Sequence, residues 1–366
     1  MWRQLRFWGA LSVLIALPSS AGADSFTFVK IAETGYTEPA INKKGTVAFS
    51  TFVDVFAGSG GALTPIATSS GPLRAFGKVS INDFDAVSFM GAFDTGGFGV
   101  FSGAGGALRT IADESSGMFT FFDLVGTPIN NAGAVAFRAG DADGRRANLW
   151  VSDGVSSTRI VGPTSDFIDG PLSINDEGTV TFNQGSERLV AGSGGPLSLI
   201  ADATGPLAGG FFLASINDAG IVAFRSNLDT GAQGILTSAA GSLTIIAESS
   251  DFFGCCAPSI NNSGSVAFLA GLGIEFRNDG IFVARPDLSV GKVVAFGDSL
   301  FGSTVDSLIL GEQGLNDAGQ LAFYASLADG TGGVFRADPL GSVPEPSTLL
   351  LLGAGLGAVG LSRRRR

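Results

Sequence analysis

The chain contains no histidine in 366 residues, which removes the commonest general base and the commonest metal ligand together. Its two cysteines, Cys255 and Cys256, are adjacent. Neighbouring trans Cα atoms lie about 3.8 Å apart, below the roughly 4.4–6.8 Å that a disulfide spans, so the pair is not a structural staple. Free thiols, a strained vicinal bridge and a link to another molecule stay open for it. Positive charge is also short, with 22 Lys and Arg against 33 Asp and Glu. Six of the 22 lie at the two ends, so the body carries 16 basic and 32 acidic residues, a net charge near −16. Such a surface repels nucleic acid and anionic lipid, whose binding depends on neutralising phosphates. No partner of that kind is expected.

Both ends carry sorting chemistry. Residues 1–23 hold Arg3 and Arg6, an apolar run from Phe7 to Pro18 and small residues ending Ala21-Gly22-Ala23. A short basic segment, an apolar stretch too short to span a bilayer and an A-x-A site describe a secretory signal peptide, with cleavage expected between Ala23 and Asp24. At the other end, within residues 341–366, Pro344-Glu345-Pro346 is followed by an apolar stretch from Thr348 to Leu361 and by Arg363 to Arg366. Fourteen helical residues cover only about 21 Å of a hydrocarbon core about 30 Å thick, a marginal span. The arginines should stay cytoplasmic, which turns the preceding domain outward.

This tail resembles the PEP-CTERM sorting signal of Gram-negative bacteria in its motif, spacing and basic terminus. The resemblance implies recognition by an exosortase, transient inner-membrane anchoring through residues 348–361, processing near Pro344, Glu345 and Pro346, and delivery to the cell envelope, cell surface or extracellular matrix.

Between the ends the chain repeats itself. Ile41-Asn-Lys-Lys-Gly-Thr-Val-Ala-Phe49 recurs six times, giving seven motif asparagines: Asn42, Asn82, Asn130, Asn175, Asn217, Asn261 and Asn316. Successive copies start 40, 48, 45, 42, 44 and 55 residues apart, the size of a four-stranded propeller blade. Each asparagine sits where an Asx side chain bonds the backbone of a tight turn, and the residue three further on must tolerate positive φ. It is glycine in six copies and Asp85 in the second. The Val-Ala-Phe triplet that follows is apolar on both faces, as in a strand sandwiched between neighbours.

Two further strand-like runs, a Gly-Val-Phe type and a Leu-x-x-Ile-Ala type, bring each unit to four strands. The seventh unit ends after three, at Gly333-Val334-Phe335, while Phe28-Val29-Lys30-Ile31-Ala32 supplies the missing pattern before the first motif. Residues 26–33 are therefore expected to complete the last blade and close a ring, removing the sheet edges of an open array. The fold expected for residues 24–340 is an all-β, seven-bladed β-propeller; an open β-solenoid is the competing architecture. The repeat is also similar to the NxxGxxAF tandem repeat of exported, anchored bacterial proteins, although Ser88 and Thr181 stand where that pattern has alanine. That resemblance implies surface display and no particular substrate.

Candidate chemistry is sparse. Asp141-Ala142-Asp143-Gly144 starts like a calcium loop, but it lacks the third carboxylate and distal glutamate and runs into Arg145 and Arg146, so it reads as a turn. Asn-Asp pairs at residues 82–83, 175–176, 217–218 and 316–317 would line up around a ring and could collect cations, but aspartate is in any case a favoured turn residue. Sialidase chemistry wants an arginine cluster and a tyrosine nucleophile. The chain has only Tyr36 and Tyr324, and no Ser-x-Asp-x-Gly-x-Thr-Trp box. The long sixth interval, residues 296–314 with Asp298, Asp306 and Glu312, is expected to form an extended surface loop. The expectation is an exported, non-catalytic surface or matrix protein without cofactor or metal, associated with polysaccharide or cations. An extracellular glycan-acting hydrolase is the alternative.

Overall fold

In the computed structural model, residues 26–123, 125–141, 148–162, 168–249, 257–271 and 280–340 are described. Both sorting segments, residues 142–144 of the calcium-loop fragment and the two cysteines lie outside them.

The described residues form seven antiparallel sheets, each built on one copy of the motif. Blade one comprises Ala40–Ile41, Val47–Ser50, Asp54–Gly58 and Thr64–Thr68, in chain order from the channel outward. Blades two to six repeat that order. Blade seven takes Ser303–Leu315, Leu321–Leu327 and Gly332–Pro339 from the end of the chain and Phe26–Glu33 from the beginning. The two ends pair antiparallel, with Phe26 opposite Pro339 and Glu33 opposite Gly333. The ring closes as the split seventh unit requires, and the solenoid is excluded.

One irregularity recurs in all seven blades. Where the third strand meets the fourth, the register slips by one residue, at Ile66, Ile111, Ile160, Ile200, Ile246, Val293 and, in the N-terminal strand, Ile31. These are the isoleucine positions of the Leu-x-x-Ile-Ala pattern. A β-bulge lets two adjacent apolar residues both turn toward a neighbour and adds twist at the outer edge. Blade seven has the same bulge in a strand more than 270 residues away from Ile309, which identifies Phe26–Glu33 as its fourth strand.

The core is divided among the seven interfaces between blades, each with its own apolar cluster. The motif phenylalanines Phe49, Phe89, Phe137, Phe182, Phe224, Phe268 and Phe323 sit in these clusters, none more than 3% exposed. They belong to the second strand of each blade, covered on both faces, which is why the triplet carries no polar alternation.

Residues 296–314 are not the loop expected. Ser299–Leu300 and Ser303–Leu315 form a hairpin, and the long strand pairs with Leu321–Leu327. Its polar residues, Thr304, Asp306 and Ser307, face solvent from a strand, which obscures its strand character in sequence. The register then breaks between Leu310 and Leu315. Gly311 there lies so close to the Pro39 carbonyl of blade one that no side chain would fit.

Candidate functional site at the rim and waist of the channel

The seven Asn turns meet at one end of the central channel. Asp85 in the second copy adopts φ +65°, beside φ +80° for Gly45, so the turn geometry is kept where glycine is absent. Each motif asparagine is 2–5% exposed and works in two directions. Its Oδ1 accepts from the backbone of its own turn, as Lys44 and Thr46 N–H do with Asn42 at 3.1 and 3.0 Å. Its Nδ2 donates to the backbone carbonyl of the next motif asparagine. Asn42 donates to Asn82 at 3.1 Å, Asn82 to Asn130 at 3.1 Å, Asn130 to Asn175 at 3.2 Å and Asn175 to Asn217 at 3.3 Å. Asn217 donates to Asn261 at 3.0 Å, Asn261 to Asn316 at 3.0 Å, and Asn316 back to Asn42 at 2.8 Å. The result is a closed ring of seven hydrogen bonds, one per blade.

The next residue in each turn forms a second, more exposed ring: Lys43, Asp83, Asn131, Asp176, Asp218, Asn262 and Asp317. All but Asp317 donate the backbone N–H to the side chain of the following blade, from Lys43 to Asp83 at 3.0 Å through to Asn262 and Asp317 at 2.8 Å. Six links run this way, and the ring opens at Lys43, whose side chain has no acceptor. The two asparagines each bridge a pair of carboxylates: Asn131 Nδ2 reaches Asp83 and Asp176, and Asn262 Nδ2 reaches Asp218 and Asp317. Lys43 Nζ pairs with Asp83 Oδ2 at 3.0 Å. Burial pushes the Asp83 carboxyl up, but the Lys43 N–H, the Lys43 ammonium and the Asn131 amide outweigh it and hold the group below the usual carboxylate range. The hydrogen bond to Asp83 in turn raises Lys43, helped by the fields of Asp176 and Asp317.

Four residues before each asparagine the channel narrows to an asymmetric waist. Glu38, Lys78 and Glu312 occupy that position on blades one, two and seven, and Lys78 Nζ lies 2.7 Å from Glu38 and 3.3 Å from Glu312. Blade three offers Gly126 there, close against the Glu312 carboxylate. Burial pushes the Glu312 carboxyl up, the Lys78 charge offsetting only part of that. Burial would lower Lys78, but the charges of Glu312 and Glu38 reverse this and raise it. Rim and waist enclose a cavity of about 170 Å³.

A serine ladder ties the inner strands together between rim and waist. The N–H of Ile129, Ile216, Ile260 and Leu315 donates to Ser80, Ser173, Ser215 and Ser259 of the preceding blade, at 3.1–3.2 Å. Blades three and seven have Pro128 and Gly314 at that position, and blade one has Ala40. Gln313 fills the gap: its Oε1 accepts from Ile81 N–H at 3.0 Å and Ser80 Oγ at 2.9 Å, and its Nε2 donates to the Ile81 carbonyl at 2.8 Å.

All seven asparagines expected to form the turns are thus brought together. The Asn-Asp pairs do line a ring, but hydrogen bonds between blades occupy their carboxylates. Asp298 instead pairs with Lys292 at 3.0 Å, away from the channel. Sequence reasoning did not single out Glu38, Lys78 or Gln313; the signal was that three of seven copies carry charge four residues before the asparagine. Among the described residues no three His, Cys, Asp or Glu side chains gather as a metal-binding set, and no helix is long and apolar enough to cross a membrane.

The family described as "Family of unknown function (DUF7453)" matches residues 78–350, and the PEP-CTERM protein-sorting motif matches residues 342–366. No curated protein matches the chain in sequence. Among solved structures, a catalytically inactive virginiamycin B lyase from Staphylococcus aureus, with quinupristin, is similar at 12% identity. That match covers 86% of this chain and 100% of the lyase, with a TM-score of 0.52. A streptogramin B lyase matches at 10% identity, over 86% of this chain and 98% of its own, also with a TM-score of 0.52. At these identities the likeness is one of fold.

Proposed function

The chain belongs to the family of unknown function DUF7453, and from that premise we propose that it is a non-catalytic surface or matrix protein of a Gram-negative bacterium that binds polysaccharide or cations. The sorting motif marks an exported precursor that an exosortase processes. The likeness of its repeat to the NxxGxxAF group belongs to the same reading. One observation carries the non-catalytic role: the polar groups at the channel mouth, where a propeller usually holds its ligand, are bonded to the neighbouring blade in two rings. Groups engaged in that way hold the ring together and are not free for acid–base work. The lyase that shares the fold loses activity when a histidine is replaced by alanine, and this chain has no histidine. The body's net negative charge suits cations or neutral and basic glycans.

The protein should be retained on secreted polysaccharide of the producing strain, should turn over no glycosidic substrate, and its deletion should alter the biofilm. A glycan array and cation titration that show no binding, with an unaltered biofilm in the deletion strain, would overturn the reading.

The waist favours the second reading, a glycan-acting hydrolase. Two glutamates flank one lysine there, and burial pushes one of them up, as a general acid requires. Turnover abolished by Glu312→Gln would establish it.

A further inference from the structure

Both chain ends leave the propeller at the same place. Strand Gly332–Pro339 runs toward the Asn-ring face and ends beside the Asn316 turn. There Gln320 Nε2 donates to Asp338 at 2.6 Å, and Pro339 lies against Gly319. Arg336 fixes this end further, donating to the Gly45 carbonyl at 2.7 Å and pairing with Asp338, also at 2.7 Å. Phe26, opposite Pro339, starts at the same face.

From Leu340 to Thr348, where the apolar stretch of the sorting tail begins, is eight residues. Fully extended, they reach at most about 29 Å. Blade seven is itself eight residues high along Gly332–Pro339, about 26 Å. To turn the far face toward the bilayer, the tether would have to run back along the whole blade, leaving only about 3 Å to reach the lipid. With the near face down, the full length is available.

We infer that in the membrane-anchored precursor the propeller stands with its Asn-ring face toward the lipid surface and presents the opposite face outward. The outward face carries the exposed Tyr36 and Phe52, which together with Glu38 and Lys78 line a small recess. The inference rests on the reading of residues 348–361 as the membrane segment.

The test uses the full chain with its tail uncleaved, reconstituted into phosphatidylethanolamine and phosphatidylglycerol vesicles that contain a headgroup-labelled paramagnetic lipid. Cys255 and Cys256 are replaced by serine, and a fluorophore is placed through Ala318→Cys on the ring face or Ala328→Cys on the far face. Both positions are exposed and belong to blade seven. Strand Leu321–Leu327 separates them by about 23 Å. Quenching at Ala318→Cys at least twofold stronger than at Ala328→Cys is expected. Insertion of about 20 Gly-Ser residues after Leu340, which adds roughly 25 Å of root-mean-square reach, should remove the difference. Equal or reversed quenching in vesicles that carry the protein overturns the orientation. A difference that survives the linker also overturns it, because adsorption and not the tether would then set the pose. Failure of the protein to float with the vesicles overturns the anchoring reading itself.

Discussion

The rim and the waist of the channel are built from the inner segments of the same seven blades but follow opposite rules. At the rim every blade contributes the same side chain in the same role, and the hydrogen bonds return to their start. At the waist three adjacent blades contribute charge, and Gly126 marks the uncharged side. A repeated position is explained by the ring's need to close; a position that breaks the repeat requires a local reason. The contrast separates what holds this propeller together from what could distinguish it among propellers.

The largest effect should come from breaking the rim. Asn217→Ala removes one of the two donors to the Asn261 carbonyl, which keeps Gly264 N–H, and the acceptor for Ile221 N–H, which is left unsatisfied beside the lost bond between blades. At roughly 1–3 kcal/mol for the unsatisfied amide and about 1 kcal/mol for the lost bond between blades, a loss of about 2–4 kcal/mol is expected in urea unfolding. Asn217→Asp keeps the acceptor and removes only the donor, yet it should cost at least as much at neutral pH, because a carboxylate then faces the Asn261 carbonyl. If the aspartate variant proved harmless, the ring of amide bonds would not be what binds the blades at this end.

A smaller effect is expected at the waist, and it depends on pH. Lys78→Met leaves Glu38 and Glu312 facing each other without a counter-charge. Breaking a buried pair costs about 3–5 kcal/mol, but Lys78 is nearly half exposed, so screening should reduce this to about 1–2 kcal/mol. The sign of the pH dependence follows from Glu312, whose carboxyl is already pushed up by burial and rises further without the lysine. A group whose folded value lies above its unfolded one makes the folded state bind more protons, so stability returns as pH falls through that range. The Lys78→Met defect should therefore shrink between pH 8 and pH 5, and Glu312→Gln in the same background should abolish most of it. A defect independent of pH would point to lost packing of the lysine stem instead.

Much of the rim and little of the waist was legible in sequence. The rim was readable because its asparagine, its positive-φ residue and its buried phenylalanine recur at fixed spacing in every unit, so seven copies reinforce one another. Ring closure was readable because Gly333-Val334-Phe335 lacked a partner that Phe28 to Ala32 supplied. The bulges were overlooked although their mark was present: Ile31 and Ala32 are consecutive apolar residues in one strand, and Ile66 and Ala67 in another. The waist was not readable because Glu38, Lys78 and Glu312 are 40 and 234 residues apart in sequence, and only closure of the ring makes them neighbours. Residues 303–310 misled because a strand that wets one face and then enters the channel has the composition of a loop.

The smallest expected effect is also the most local, at the one place where waist and rim compensate for each other. Blade one lacks the ladder serine, having Ala40, and Gln313 reaches in from blade seven to accept from Ile81 N–H. Gln313→Ala should strand that N–H and the Ile81 carbonyl, at about 1–2 kcal/mol in chemical denaturation if water reaches the gap only in part. Ala40→Ser in the same chain places a hydroxyl where blades two, four, five and six have theirs and should restore about half of the loss, without restoring the acceptor's second bond, to Ser80. In the unmutated background Ala40→Ser should be neutral or mildly harmful, since Gln313 already fills the site and an added oxygen must compete with it. Opposite signs for one substitution in two backgrounds would show that Gln313 stands in for a missing repeat residue. Equal effects in both would mean that the glutamine serves something other than the ladder.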